Sequence, residues 1–377
     1  MIRKSELFHR GINMTGKERF NIALKGGQPD MVPLWELAFI ERSIIGIAKQ
    51  FSDDAPPFKL IHEMTPNEMM ALLRALFFVV EKLDLDGFTL PVQAGNEVVG
   101  ENRVRDKMGI VYIPSDNGLA HPVQSVITCR EELDNYKKPK VDESWFMAAK
   151  FAQMYFKDSR AVVVMPPDPW KTFWAMMGDM TRALMLFYDD PELAHGILGV
   201  ATDICLDAIN TGADFGMECF CLTGDLAMNS GTMMSPDTFR EFIKPCYVKA
   251  VEASHARGIP IIKHSCGDTT RILEDFIECG FDGIHPIQPQ CMDIVEAKDK
   301  CRGRASVLGN IDCIELLPSG SVEDVERVVR DTIRRAAPGG GFILASANSI
   351  HKDVKPENAV AMFRAGRKYG KYPIEIQ

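Results

Sequence analysis

Residues 260–287 read PIIKHSCGDTTRILEDFIECGFDGIHPI, and the order of their parts gives the fold. Residues 260–263 are a short run rich in β-branched apolar side chains, and His264-Ser265-Cys266-Gly267-Asp268 is a polar loop. Residues 269–279 then return apolar side chains at every third or fourth position, the spacing of one helix face. Residues 283–287 are apolar and β-rich again. Strand, helix and strand within about thirty residues make one crossover unit, whose two strands lie parallel.

The same alternation extends in both directions. Strand-like runs occur at 32–39, 87–92, 161–165, 215–221, 260–263, 283–287, 305–308 and 342–345. Helical spacing appears at 67–82, 191–211, 236–256, 269–279, 322–337 and 356–369. Ser235-Pro236 and Lys355-Pro356 are helix starts of the expected kind, with proline in the first turn. Eight parallel strands are the number that closes a (β/α)8 TIM barrel, so the expected class is α/β. Residues 16–25 add a helical N-terminal extension. Residues 97–127 break the rhythm with short alternating runs between Gly, Asp and Asn turns. They read as a β-hairpin insertion after the second strand, part of a lid or a subunit contact. No linker or low-complexity tract interrupts the chain, which implies one domain over 1–377.

Composition narrows the function. The net charge of −9 over 377 residues argues against a nucleic-acid partner, which selects basic faces. No stretch approaches the roughly 18 uninterrupted apolar residues of a membrane span. Residues 1–7 carry no leader-like apolar run, and the ten cysteines form no paired framework, so the expected compartment is the cytoplasm with reduced thiols. The 20 methionines read as core filler. Pro338-Gly339-Gly340-Gly341 precedes the last strand, on the side of a barrel away from catalysis, and reads as a tight turn.

Chemistry in such a barrel sits where strands end. The polar residues expected there are Glu36, Asp168 with Trp170, Asp225, His264 with Cys266, His285, Asn310 and Asn348. His264 and Cys266 stand two apart, so on a strand both point to one side and can converge on one ion. Imidazole plus thiolate suits zinc, and an open coordination position makes such a site catalytic. From spacing alone, the competing reading is a buried Cys beside a solvent-facing His. The third ligand stays open among Cys221, Asp225, Glu218 and Cys219. His285 suits a pocket wall or a satisfied core position equally. His351, beside Lys352, reads as an exposed loop residue.

Met14-Thr15-Gly16-Lys17-Glu18-Arg19-Phe20, Asp30-Met31-Val32-Pro33-Leu34-Trp35 and Ser235-Pro236-Asp237-Thr238-Phe239 are the first landmarks of a resemblance. His264-Ser265-Cys266-Gly267, Gly340-Gly341-Phe342-Ile343-Leu344 and Pro356-Glu357-Asn358 complete them. Together they resemble the uroporphyrinogen decarboxylase superfamily over nearly the whole chain. The resemblance implies a barrel, often a homodimer, and either porphyrinogen decarboxylation or zinc-assisted methyl transfer between corrinoid proteins and thiols. The decarboxylases carry an Arg-Gln-Ala-Gly-Arg run after the first strand, where this chain has Ala38-Phe39-Ile40-Glu41-Arg42. Their aspartate after strand two is replaced by Leu90-Pro91-Val92, and their histidine after strand eight by Asn348. The methyltransferases carry His-x-Cys on strand five, matched by His264 and Cys266, and a later cysteine, again replaced by Asn348.

The resemblance therefore implies a zinc-dependent methyltransferase working with a corrinoid (cobalamin) protein and a small methyl donor or acceptor. His264 and Cys266 would hold zinc, with Cys221 or Glu218 as further ligands. Asp225 and Asn348 join the catalytic set, and Glu36, Asp168, Trp170, His285 and Asn310 contact substrate. The alternatives are a uroporphyrinogen decarboxylase, or a non-catalytic barrel that binds a corrinoid or tetrapyrrole.

Overall fold

A computed structural model describes residues 14–92, 95–115 and 120–374. Residues 1–7, read above for a leader, and 116–119 of the insertion lie outside them. The central sheet holds eight strands: β1 (Trp35–Glu36), β2 (Gly87–Pro91), β3 (Ala161–Met165), β4 (Phe220–Leu222), β5 (Ile261–His264), β6 (Gly283–His285), β7 (Ser306–Ile311) and β8 (Phe342–Ser346). They pair in parallel in chain order, and a parallel bridge between Leu34 and Leu344 joins the last strand to the first. The result is the expected TIM barrel, with helices packed outside it.

Two apolar layers hold it together. Inside the barrel, Trp35, Val163, Cys219, Cys221, Ile262, Leu308, Ile343 and Ala345 pack on one another. Outside, a larger cluster fills the space between strands and helices. Helix Gly16–Leu24 belongs to the inner layer. A Thr15–Glu18 capping box starts it. Its Phe20, Ala23 and Leu24 then close the end of the barrel where the strands begin, and Ser306 Oγ donates to the carbonyl of Ala23 at 2.7 Å.

Two element boundaries differ from expectation for physical reasons. The helix expected over 236–256 carries a π-turn at Phe239–Ile243 before Lys244–Ala256. Pro245 follows it, and a proline there offers no N–H to an α-helical ladder. The run expected as a strand over 215–221 forms one only at Phe220–Leu222, because helix Pro191–Asp214 continues to the edge of that run. The insertion is a four-stranded antiparallel sheet of Asn96–Gly100, Arg103–Asp106, Val111–Ile113 and His121–Pro122. Among the described residues no helix is long and apolar enough to cross a membrane.

Candidate metal centre

Asp225, His264 and Cys266 meet at the open end of the barrel. One oxygen, one nitrogen and one sulfur, respectively, lie within 4.8 Å of one another. His264 Nε2 stands 3.5 Å from Cys266 Sγ and 3.4 Å from Asp225 Oδ1. The Cys266 N–H donates to Asp225 Oδ1 at 3.0 Å. His264 closes β5, Cys266 follows two residues on, and Asp225 comes from the loop after the neighbouring β4. Gly267 then turns the chain at φ +83°, and a Cβ there would fall 2.6 Å from the Ala227 carbonyl carbon. Only glycine lets the hairpin at 227–232 close over the loop. Gln288 secures that hairpin, accepting the Gly267 N–H at 2.8 Å and donating to Asn229 at 2.9 Å.

The hydrogen-bond chain behind His264 fixes its tautomer. His285 Nε2 faces the Ser346 carbonyl at 3.0 Å, and a carbonyl can only accept, so the proton sits on that nitrogen. Burial holds the His285 ring well below its ordinary pKa, so the ring stays neutral and its Nδ1 is an acceptor. His264 Nδ1, 2.7 Å away, must therefore donate. That leaves the lone pair of His264 Nε2 pointing at the Cys266 sulfur and the Asp225 carboxylate. Acceptors converging in this way are satisfied by a proton on Nε2 or by a cation. Burial pushes the Asp225 carboxyl up, yet with a proton on Nε2 the His264 ring and the Cys266 N–H outweigh it and hold the group at about 2. Burial and the Asp225 charge push the Cys266 thiol well up, so an ion binding there would displace its proton.

The other expected site residues separate into distinct places. Glu218 is not brought to this group: it precedes β4, at the closed end of the barrel, and pairs with Lys17 of the N-terminal helix at 2.5 Å. Cys221 is also apart. It pairs in register with Ile262 and so points into the barrel one layer beneath His264, where burial pushes its thiol up to about 12. Asn348 is exposed and outside the group; its N–H lies 3.5 Å from Ser346 Oγ. Asp168 and Trp170 are buried, and their polar atoms are engaged by protein. Asp168 pairs with Lys263 at 3.1 Å, and Trp170 Nε1 donates to the Asp225 carbonyl at 2.7 Å. Asn310 donates to the Ile287 carbonyl at 2.8 Å. Glu36 is fully buried, accepts from Ser346 Oγ at 2.7 Å, and is pushed up to about 8 by burial, so it carries a proton at neutral pH. His351, expected in an exposed loop, lies 2.7 Å from the Cys313 carbonyl through Nε2.

Between the loops after β2 to β4 and the insertion lies a cavity of about 310 Å³, which Asp168 and Thr223 reach but no member of the triad lines. Val92, Val104, Met108 and Met165 give it apolar walls, and Asn96, Asp106, Tyr112, Lys171 and Thr223 its polar groups. Lys263, Tyr247 and Ser346, which carry much of the hydrogen bonding around the site, were not singled out from the sequence. Of these only Lys263 left a signal, a lone cation inside an apolar strand.

Comparison with known proteins gives this geometry a lineage. The family model described as uroporphyrinogen decarboxylase (URO-D) matches residues 15–369. The chain belongs to the uroporphyrinogen decarboxylase family. Within the family it is similar to a methylated-thiol–coenzyme M methyltransferase of Methanosarcina mazei, 27% identical over 47% of this chain and 45% of that protein. The chain thus spans about half the length of that relative. A uroporphyrinogen decarboxylase of Hydrogenovibrio crunogenus is 23% identical over 92% of this chain and 96% of its own length. A solved structure of a methyltransferase from Methanosarcina mazei shares the fold, with TM-score 0.74 at 20% identity over 94% of this chain and 99% of that one.

Proposed function

We propose that this family member is a zinc-dependent methyltransferase that moves a methyl group between a small methylated compound or thiol and a corrinoid held by a partner protein. The observation that carries the reading is the meeting of Asp225, His264 and Cys266 at the barrel mouth with the His264 Nε2 lone pair facing inward. The donor set fits zinc: imidazole nitrogen, thiolate sulfur and carboxylate oxygen are its usual ligands, and three protein ligands leave a fourth position for substrate. Zinc, when bound, would hold a thiol or similar nucleophile as the anion at neutral pH.

The chain's own residues supply the rest. Asp225, His264 and Cys266 would hold the ion, and His285 keeps His264 in the ligating tautomer. The cavity that Thr223 and Asp168 help to line suits a small, largely apolar substrate, with Glu36 protonated at neutral pH elsewhere in the mouth. The reading takes the chain as one cytoplasmic barrel domain.

The test is zinc content followed by turnover. Purified protein should carry close to one zinc per chain, which His264→Ala should remove and Asp225→Ala should weaken to an affinity that can still be measured. With methylcobalamin as methyl source, a panel of thiols and phenols should show at least one methylated product that depends on zinc. Protein without stoichiometric zinc, or indifferent to His264→Ala, would sink the proposal. The near full-length likeness to decarboxylases supports a second reading. Conversion of uroporphyrinogen to coproporphyrinogen would establish it. Against it stand the apolar end of β2 at Leu90 and Pro91, and an Arg42 guanidinium stacked 3.9 Å above the Phe58 ring rather than free to grip carboxylates.

A further inference from the structure

We propose that the buried Lys263–Asp168 ion pair is a positioning device that aims the Asp225 carboxylate, an inference that rests on the metal-site reading above. Both side chains are wholly removed from water. Burying two charges is costly, and an apolar pair could fill the same space, so packing alone does not account for them.

What they grip does account for them. Asp168 Oδ2 accepts the Gly224 N–H at 2.9 Å, and Lys263 Nζ donates to the Gly224 carbonyl at 2.8 Å. Both polar groups of the residue just before Asp225 are therefore held by the two members of one ion pair, itself closed at 3.1 Å. Tyr247 steadies the pair, its hydroxyl 3.3 Å from the Asp168 oxygens and its ring 4.6 Å beneath the ammonium. Trp170 takes the Asp225 carbonyl and Ser265 Oγ takes the Leu226 N–H, at 2.7 and 3.0 Å. Position 224 must be glycine for this approach, because a Cβ would sit 2.3 Å from Asp168 Oδ1. A loop that would otherwise leave Asp225 free to swing becomes a fixed arm.

Lys263→Met combined with Asp168→Asn tests the idea, since it removes both charges together and leaves no unpaired ion in the core. Two readouts separate the clamp from the metal reading. The first needs no metal: hydrogen exchange at Gly224 and at Cys266, whose N–H the Asp225 carboxylate accepts, should speed up in the paired variant. The second is zinc affinity, which should fall about ten- to a hundredfold, as when other supports of metal ligands are lost. In an Asp225→Ala background the same pair of changes should add no further loss. Unchanged exchange at Cys266 overturns the clamp whether or not zinc binds. So does a zinc loss that persists undiminished without Asp225. Absence of zinc from the unaltered protein would instead defeat the metal reading, while faster exchange in the paired variant would still stand for the clamp.

Discussion

The two sides of the barrel mouth support the Asp225, His264 and Cys266 triad with opposite chemistry. Behind His264, on β6, β8 and β1, lies a neutral set: His285, the Ser346 carbonyl and hydroxyl, and a protonated Glu36. Behind Asp225, on β3 and β5, lies a charged one, the Lys263–Asp168 pair. The difference follows from what each ligand needs. An imidazole needs one tautomer, which an acceptor held behind its other nitrogen fixes. A carboxylate on a loop already has its charge and lacks only a direction.

The comparison can be broken from its charged side first. Lys263→Met alone leaves Asp168 buried without its partner and should cost about 3–5 kcal/mol, read as a lower midpoint in chemical denaturation. A cost below about 1 kcal/mol would mean the pair is not a charged pair in the folded protein. The neutral side predicts a pH effect. The folded state keeps the Glu36 proton up to about pH 8, whereas an unfolded chain releases it near the ordinary 4.5. That contribution is complete below pH 4.5 and falls as pH rises towards 8. Glu36→Gln should therefore gain on the unaltered protein by on the order of 3 kcal/mol between pH 5 and 8. A pH-independent difference would refute the protonated carboxyl.

Smaller effects sharpen the picture. His285→Ala should weaken zinc binding about tenfold to a hundredfold by freeing the His264 ring, measured by competition with a chelator. An unchanged affinity would show that the ring is held by other contacts. Glu218→Gln, at the closed end, should leave zinc binding unaltered and change stability by less than about 1 kcal/mol, since its pair with Lys17 is half exposed. Any loss of metal there would reopen its place among the ligands.

Strand count, barrel class and the pairing of His264 with Cys266 could all be read from the sequence, because apolar period and two-residue alternation encode them directly. The carboxylate could not be singled out. The run at 215–221 looks like a strand throughout, which brings Glu218 close to the expected mouth. In the structure the strand starts only at Phe220, so Glu218 falls at the far end and Asp225 at the near one. Asp168 and Trp170 were expected to touch substrate because buried polar groups at strand ends often do. Asp168 does line the cavity beside the insertion, and both residues also hold a neighbouring loop, a relation between β3 and β4 that no local pattern records. Lys263 was overlooked for a similar reason: its partner lies 95 positions away.

The helix Gly16–Leu24 stoppers one end of the barrel with Phe20 and Leu24. Traffic to the triad is thereby confined to the single rim formed by the loops beyond the strands. On the methyl-transfer reading proposed above, a bulky carrier protein and a small molecule would have to share that doorway or take turns.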